Sequence, residues 1–357
     1  AAVSTGCAGA TGNRRAIMIP RFERLVVDDR AVGDPLAERV MERLDRDETV
    51  ITDDPGIHTG PGAFVVKYHE GRFVKDFPVT PGAPPCGEKY VAALQGCIYD
   101  CSYCYLRSYL SGDSITLLVN SGKMESDINE ALLSGTVRLT TGELSDSLAL
   151  DHITGITSSI LSMLKGTSAV IEARTKSANV EHLPGVNGLD TELARRHLLV
   201  TWTLSPPGAV THEEPGAATL DERIEAIAKV SSAGIGYAIR LDPIIPFYWN
   251  ADSYLELLSA IKDAAGTPPS RIELGVLRFP PGLADSVRKD LPFSPILLGE
   301  YIRDREGKTR LYRPMRIWIY RELAGLIETV MPGTHVELSQ EDRTVWEDAG
   351  LEPPGIC

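Results

Sequence analysis

The sequence predicts an α/β fold whose main body is a partial (β/α)6 barrel of the TIM type, preceded by a smaller α/β domain. Short apolar segments alternate with amphipathic segments between residues 90 and 277, a pattern typical of parallel strands joined by helices. A cysteine-rich loop follows the first apolar segment of this series. We divide the 357 residues into a leader (1–16), an N-terminal domain (17–88), the barrel (89–340) and a C-terminal tail (341–357).

The N-terminal part is predicted to be short and mixed in structure. Residues 1–15 are rich in Ala, Gly, Ser and Thr and lack the apolar segment of a secretory signal, so we expect a flexible leader. Apolar spacing predicts strands at residues 24–27 and 63–67, with a helix over 35–44 between them. A connector rich in proline and glycine, residues 78–87, then leads into the barrel.

Six strands and four helices are predicted in the barrel. The strand candidates are residues 91–94, 137–140, 169–173, 198–204, 237–241 and 271–277. The amphipathic segments between them predict helices over residues 125–133, 153–164, 220–230 and 254–264. Because chemistry in such barrels gathers on the loops after the carboxyl ends of the strands, we expect the functional site on that face.

Composition narrows the classes of function. The formal net charge is −13, with 43% hydrophobic and 24% charged residues, which is ordinary for a soluble globular protein. No apolar run approaches the ~20 residues of a transmembrane helix, so no membrane partner is expected. Proteins that grip a DNA backbone usually carry a basic footprint, which makes DNA the less favoured partner of this acidic chain.

One basic segment, residues 301–316, departs from the acidic pattern. Its only acidic residues are Asp304 and Glu306. Its six basic residues are Arg303, Arg305, Lys308, Arg310, Arg313 and Arg316. Two interpretations stay open: a solvated hairpin, or a clamp for phosphate on a substrate or on a short stretch of nucleic acid.

Cys97, Cys101 and Cys104 form a CxxxCxxC motif on the loop after the first barrel strand. Three thiolates at this spacing can hold three irons of a [4Fe–4S] cluster and leave the fourth iron open to a small molecule. A structural zinc site would need a fourth ligand, either Cys86 or a distant histidine, at no recognisable spacing. An oxygen-sensitive cluster beside free thiols predicts a cytoplasmic location.

The other cysteines have no such pattern. Cys7, Cys86 and Cys357 lie outside the motif, and we expect them to be free thiols without a catalytic role. Six cysteines in 357 residues are too few for a disulfide-dense scaffold. A redox dithiol remains an alternative for the motif itself.

Several motifs together give the chain a resemblance to the spore photoproduct lyase family of the radical SAM superfamily, which uses S-adenosylmethionine (SAM). The resemblance covers nearly all of the chain from Ile19 onward. The matching segments are residues 27–36, the cysteine loop at 96–106, residues 144–146 and 150–154, Thr175-Lys176, Glu214-Pro215-Gly216 and Ala233-Gly234. It implies a barrel of the radical SAM type, a [4Fe–4S] cluster, SAM cleaved to a 5′-deoxyadenosyl radical, and flavodoxin or ferredoxin as electron donor.

One position departs from the family pattern. The lyases carry a cysteine just ahead of the Ser-Asp pair, and its thiol returns a hydrogen atom to the repaired thymine; this chain has Glu143 there. A carboxylate O–H bond is too strong for that role. Resemblance to other radical SAM enzymes suggests instead that Glu143 binds the ammonium group of SAM. A general base beside the substrate and a surface acid are the alternatives.

Further site residues follow from the resemblance. Tyr103 is expected to pack on adenine, and Tyr105 to relay a hydrogen atom or line the pocket. Ser145 and Lys176 match polar positions of the lyase site. Arg240 ends a barrel strand and is predicted either to bind a carboxylate of the cofactor or to pair with Asp242.

The leading functional hypothesis is hydrogen-atom abstraction from a nucleoside, nucleotide or sugar-nucleotide in a biosynthetic pathway. It rests on the missing thiol, the acidic surface and the basic segment, whose Arg303, Lys308, Arg310, Arg313 and Arg316 would hold substrate phosphate. The alternative is DNA photoproduct repair with a different hydrogen donor. A third hypothesis is a non-catalytic module that binds an iron–sulfur cluster or zinc.

Overall fold

Two β-sheets that share one continuous apolar core organise the chain in the computed structural model. The structure describes residues 21–84, 87–110, 112, 114–304 and 307–354. The predicted leader, Cys7, Cys86, Arg305, Glu306 and Cys357 lie outside the described residues. In the part that is described, no helix is both long enough and apolar enough to cross a bilayer.

The first sheet gathers strands from the N-terminal third of the chain. In chain order the elements are β1 (Phe22–Asp28), α1 (Pro35–Arg43), β2 (Arg46–Thr52), β3 (Ala63–Tyr68), β4 (Val74–Asp76), β5 (Lys89–Val91), β6 (Leu94–Gln95), α2 (Leu106–Tyr109), β7 (Ile115–Val119) and α3 (Ser121–Leu133). The sheet order is β2-β1-β3-β7-β6, parallel except between β6 and β7. Two strands of this first sheet, β6 and β7, lie after residue 88, where the sequence analysis placed the boundary between the N-terminal domain and the barrel. That boundary stays a prediction.

Asp34 shows how the local sequence starts two of these helices. Its carboxylate caps α1 by accepting from Leu36 N at 2.9 Å, with Pro35 at the first helical position. The same carboxylate accepts from Ser121 N at 2.7 Å at the beginning of α3. One acidic side chain therefore fixes the N-termini of two helices against each other.

The second sheet is the barrel. The remaining elements of the chain are β8 (Arg138–Thr141), α4 (Asp151–Thr154), α5 (Ile156–Met163), β9 (Val170–Thr175), α6 (Thr191–His197), β10 (Leu198–Thr203), α7 (Pro207–Glu213), α8 (Leu220–Ser232), β11 (Gly236–Ile244), α9 (Ala251–Ala265), β12 (Ile272–Val276), β13 (Arg278–Phe279), α10 (Leu283–Asp290), β14 (Tyr301–Arg303), β15 (Thr309–Leu311), α11 (Arg313–Val330), β16 (Val336–Leu338) and α12 (Arg343–Ala349). Three of them, β13, β15 and β14, form a separate antiparallel sheet. In the barrel sheet, ordered β16-β12-β11-β10-β9-β8-β5-β4, the six strands β5 and β8 to β12 run parallel side by side, and β16 adds a further parallel strand beside β12. The predicted partial (β/α)6 barrel is confirmed.

Two elements differ from the prediction. The strand expected at 91–94 is split in two. The chain leaves the barrel after β5, and β6 then pairs with β7 in the other sheet. The helix expected at 153–164 breaks at Gly155, whose φ is +66°. This left-handed backbone favours glycine, and a Cβ there would also displace the end of the Arg39 side chain, whose Nη1 would lie 1.5 Å away.

Candidate active site

The cysteine loop is held at the carboxyl end of the barrel by main-chain hydrogen bonds from two sides. At its start, Gly96 N donates to Leu144 O at 2.9 Å, and Gly96 has a φ of +86° with no room for a Cβ. Further along, Asp100 N donates to Pro215 O at 3.1 Å and Ser102 N donates to Glu213 O at 2.9 Å. The segment after α7 thus runs beside the loop and fixes its path.

The three predicted cluster ligands are reduced thiols on this loop. Cys101 is buried, and Cys97 and Cys104 are partly buried. Burial raises the pKa of Cys101 to about 12 and also raises the pKa of the other two thiols, so cluster binding would displace three protons. Tyr99 N lies 3.5 Å from Cys97 Sγ as a hydrogen-bond donor.

The donor set fits a [4Fe–4S] cluster better than a single zinc ion. Within the described ranges, no three His, Cys, Asp or Glu side chains converge on one metal position. The three thiols on one short loop would each bind a separate iron of such a cluster, and the cluster and its open corner for SAM stay predictions. Arg107 Nε donates to Cys101 O at 3.0 Å and closes the loop behind the thiols.

Tyr103 is anchored by a buried ion pair that the sequence did not reveal. Its hydroxyl donates to the carboxylate of Glu214, which pairs with Arg223 at 2.5 Å in a fully buried position. Lys176 Nζ lies 5.3 Å from the centroid of the Tyr103 ring. The structure thus brings Tyr103 and Lys176 together, and their contacts with SAM stay predictions.

Asp146 joins the loop after β8 to the end of β9. Its buried carboxylate accepts from Thr175 Oγ1 at 2.7 Å and from Lys176 N at 2.6 Å. Ser145 donates from its hydroxyl to the main-chain oxygen of Asp146 at 3.0 Å. The Ser-Asp pair noted in the sequence therefore brings Ser145 and Lys176 to the same edge of the barrel, and Asp146 is the residue that does so.

Glu143 and Tyr105, the two predicted catalytic residues, lie in contact. The Tyr105 hydroxyl donates to the main-chain carbonyl of Glu143, and the Tyr105 side chain is 38% exposed. The Glu143 carboxylate accepts from Arg174 Nη1 at 2.7 Å. Burial raises the pKa of Glu143, and the nearby guanidinium groups of Arg174 and Arg240 oppose that rise.

Arg174 lies at the centre of an ionic network inside the barrel. It also binds Glu88 at 2.7 Å and Glu172 at 3.1 Å. Burial by itself raises the pKa of Glu172. The charges of Arg174, Arg271 and a third arginine outweigh this effect, so the pKa of Glu172 lies below its ordinary value. Residues of this network line a cavity of about 150 Å³ that also contacts Trp346.

Arg240 forms the ion pair that was one of its two predicted roles. Its guanidinium contacts Asp242 at 2.8 Å and Glu273 at 3.1 Å. Burial raises the pKa of Asp242, yet Arg278 and Arg240 together lower it to about 2. Its charge is thus already compensated inside the barrel, and binding of a carboxylate of the cofactor by Arg240 stays a prediction.

Three arginines of the predicted phosphate clamp pair with acidic side chains, and the clamp itself stays a prediction. Arg310 pairs with Asp304 at 2.8 Å, Arg313 with Asp348 at 2.7 Å and Arg316 with Glu341 at 2.9 Å. Asp304 lies on the hairpin itself, whereas Asp348 and Glu341 are distant in sequence. All three arginine charges are therefore paired within the protein. Arg303 and Lys308 lie on or beside the β14–β15 hairpin, where Arg303 is exposed and Lys308 Nζ is 3.1 Å from Thr80 Oγ1.

A buried hydroxyl at the end of β10 was missed by the sequence analysis. Ser205 is 1% exposed, and its Oγ has no hydrogen-bond partner in the described chain. Buried hydroxyls are normally paired, so Ser205 is available to a ligand bound on this face. Its only signal in the sequence is its position just after a predicted strand.

Comparison with known proteins agrees with the fold and the loop. The family model for spore photoproduct lyase matches residues 81–304. Spore photoproduct lyase of Bacillus subtilis (strain 168) is 26% identical over 272 residues, which cover 71% of this chain and 76% of the relative. The enzyme of Geobacillus sp. (strain Y412MC61) is 25% identical over 185 residues, and the match spans about half of either protein, 50% and 52%.

Solved structures of spore photoproduct lyase share this fold. One, described as complexed with dinucleoside spore photoproduct, has a TM-score of 0.75 and 19% identity, covering 89% of this chain and 99% of that chain. Another, a variant with bound SAM and dinucleoside spore photoproduct, has a TM-score of 0.72 and 20% identity, covering 90% and 98%. Since the family model spans more than half of the residues, the chain belongs to the spore photoproduct lyase family of radical SAM enzymes.

Proposed function

We propose that this protein is a radical SAM lyase that reverses the thymine dimer of spore photoproduct in DNA. The observation that carries the proposal is the three-cysteine loop at the mouth of the barrel in a chain of this family. The biosynthetic hypothesis drawn from the sequence loses one of its supports, because three arginines of the basic segment are paired internally.

Each part of such a site has a candidate among the described residues. Cys97, Cys101 and Cys104 would hold the cluster, and Ser145 and Lys176 lie on the same edge of the barrel to receive SAM. When bound, the cluster and SAM supply a 5′-deoxyadenosyl radical after one electron arrives from a carrier such as flavodoxin or ferredoxin. The chain itself must orient the substrate and exclude water.

Dimer splitting leaves a carbon radical that must receive a hydrogen atom. We assign this step to the Tyr105 hydroxyl, since a phenolic O–H bond is much weaker than the O–H bond of a carboxylic acid. The Tyr105 hydroxyl contacts the main-chain carbonyl of Glu143, the residue that the resemblance aligns with the thiol of the lyases, and this contact supports the assignment. Donation would leave a neutral tyrosyl radical, and the bound cofactor would supply the hydrogen atom that restores the phenol.

A second candidate function is hydrogen abstraction from a nucleotide or sugar-nucleotide in biosynthesis. The observation that favours it is the carboxylate of Glu143, held at 2.7 Å by Arg174, at the family's thiol position. A site of this kind needs no hydrogen donor at residue 143. The two candidates share the cluster and SAM and differ in substrate.

An anaerobic substrate panel tests the proposal. The cluster is reconstituted, SAM and dithionite are added, and dinucleoside spore photoproduct is offered beside mononucleotides and sugar-nucleotides, with 5′-deoxyadenosine and repaired product both quantified. Among these substrates, we expect only dinucleoside spore photoproduct to be converted, and its product to be the repaired dinucleoside. Coupled 5′-deoxyadenosine formation with a mononucleotide, and none of the repaired product, would contradict the proposal.

Two variants identify the hydrogen donor in the same assay. Tyr105→Phe is expected to lower product formation at least tenfold while SAM cleavage continues. Cys86→Ala is the thiol control, because Cys86 is a cysteine outside the CxxxCxxC motif. A loss of product in Cys86→Ala, with Tyr105→Phe unaffected, would move the donor role to that thiol.

A further inference from the structure

Glu213, the last residue of α7, is a buried carboxylate that contacts the cysteine loop. It is 1% exposed and accepts hydrogen bonds from the hydroxyls of Ser102, Tyr248 at 2.7 Å and Ser294 at 2.8 Å. Its main-chain carbonyl accepts from Ser102 N at 2.9 Å. Three separate segments of the chain therefore converge on one acidic side chain, next to a residue that lies between two of the three cysteines.

The charge of Glu213 has no counter-charge. Its neighbour Glu214 is paired with Arg223 at 2.5 Å, but no ion-pair partner for Glu213 exists among the described residues. The three groups that bind its carboxylate are hydroxyls, which satisfy its lone pairs without neutralising it. A cavity of about 580 Å³ lies beside it, and the residues that line this cavity include no Lys or Arg.

We propose that Glu213 is a positioning residue that lowers the reduction potential of the cluster held by the cysteine loop. Net charge and hydrogen bonding around a cluster set its potential, and a fixed negative charge opposes the addition of an electron. Screening by salt is weak for a charge that is buried. The inference rests on the proposed function, because it concerns a cluster bound by Cys97, Cys101 and Cys104.

The test is a redox titration of the reconstituted protein followed by electron paramagnetic resonance. Glu213→Gln keeps the shape and removes the charge, and we expect its cluster to have a more positive midpoint potential than the wild type. Asp290→Asn is the matched control, because Asp290 lines the same cavity but is exposed, and its potential should not change. Equal potentials for wild type and Glu213→Gln, at full iron content, would overturn the proposal.

A second variant decides the question if Glu213→Gln fails to hold the cluster. Ser294→Lys places an ammonium group beside the intact carboxylate and should shift the potential in the same positive direction. An unchanged potential in Ser294→Lys would also overturn the proposal. Wild-type protein that binds no cluster, or binds one and never cleaves SAM, would instead contradict the proposed function.

Discussion

At the scale of single residues, the proposed repair reaction depends on which group returns a hydrogen atom to the substrate, because residue 143 is a glutamate. Replacing it by cysteine restores the thiol that the family carries at this position, in a location that Tyr105 already contacts. We expect Glu143→Cys to raise the rate of photoproduct repair about tenfold, equivalent to ~1.4 kcal/mol in the barrier.

Serine provides the control for that substitution. Glu143→Ser removes the same ion pair with Arg174 without supplying a thiol, so it separates the new hydrogen donor from the loss of the carboxylate. Equal rates in the cysteine and serine variants, measured as repaired product per minute, would show that residue 143 faces away from the substrate.

His152 gives the protein a pH-dependent contribution to stability. Burial, reinforced by the neighbouring His182, lowers the pKa of His152 to about 4. Because the unfolded chain binds this proton near pH 6.5 and the folded chain does not, stability is fully present above that pH and falls on acidification toward pH 4. We expect a loss of ~1 kcal/mol between pH 7.5 and 5.5, after a discount for partial exposure.

Urea unfolding under nitrogen, followed by circular dichroism, measures this contribution. His152→Gln should flatten the pH dependence over the same interval, while His335→Gln, at an exposed histidine whose side chain is 60% accessible, should leave it unchanged. A wild-type curve as flat as that of His152→Gln would contradict the assignment.

At the scale of elements, the loop after β8 depends on glycine at residue 142. Gly142 has a φ of +95°, and a Cβ there would lie 2.7 Å from both Arg174 O and Ser147 Oγ. We expect Gly142→Ala to lower the free energy of unfolding by ~3 kcal/mol, combining backbone strain with the collision. Urea unfolding measures it.

Gly135 serves to separate backbone strain from the steric collision. Its φ of +92° is similar, but a Cβ there would meet nothing within 4 Å. Gly135→Ala should therefore cost only the strain, ~1 kcal/mol. Similar losses in both variants would mean that the loop relaxes away from Arg174.

Element type could be predicted from the sequence wherever the pattern was long and regular. The alternation over β8 to β12 and their helices led to the correct barrel, because each strand is an apolar run and each helix has one apolar face. The split between β5 and β6 could not be predicted, because it depends on pairing with β7, which is more than 20 residues away in the chain. α11 was missed because its first turn was read as part of the basic hairpin.

At the scale of the whole molecule, pairings between distant segments decide which charges remain available. Arg316 meets Glu341 and Arg174 meets Glu88, at separations that no local pattern reveals. The same limit applies to Tyr103, whose position was predicted while its anchor Glu214 was not. The cysteine motif could be recognised because its three cysteines lie within one short loop.

Arg316 tests the structural role of the basic segment. Its pair with Glu341 is buried, and removing the arginine leaves the Glu341 carboxylate buried without this partner. We expect Arg316→Met to lower the free energy of unfolding by ~3 kcal/mol without changing the affinity for a photoproduct-containing oligonucleotide. Arg303→Met, at an exposed position, is the control and should change stability by less than ~0.5 kcal/mol. Reduced affinity in Arg316→Met would support the phosphate-clamp interpretation instead.

The most direct test of the account is the product formed from dinucleoside spore photoproduct in D₂O under anaerobic conditions. Reconstituted wild-type protein with SAM and dithionite should release repaired thymine dinucleoside carrying deuterium from an exchangeable hydroxyl, and Cys101→Ala should release none. Cleavage of SAM without any repaired dinucleoside, at a cluster content equal to that of an active lyase, would contradict the proposed function.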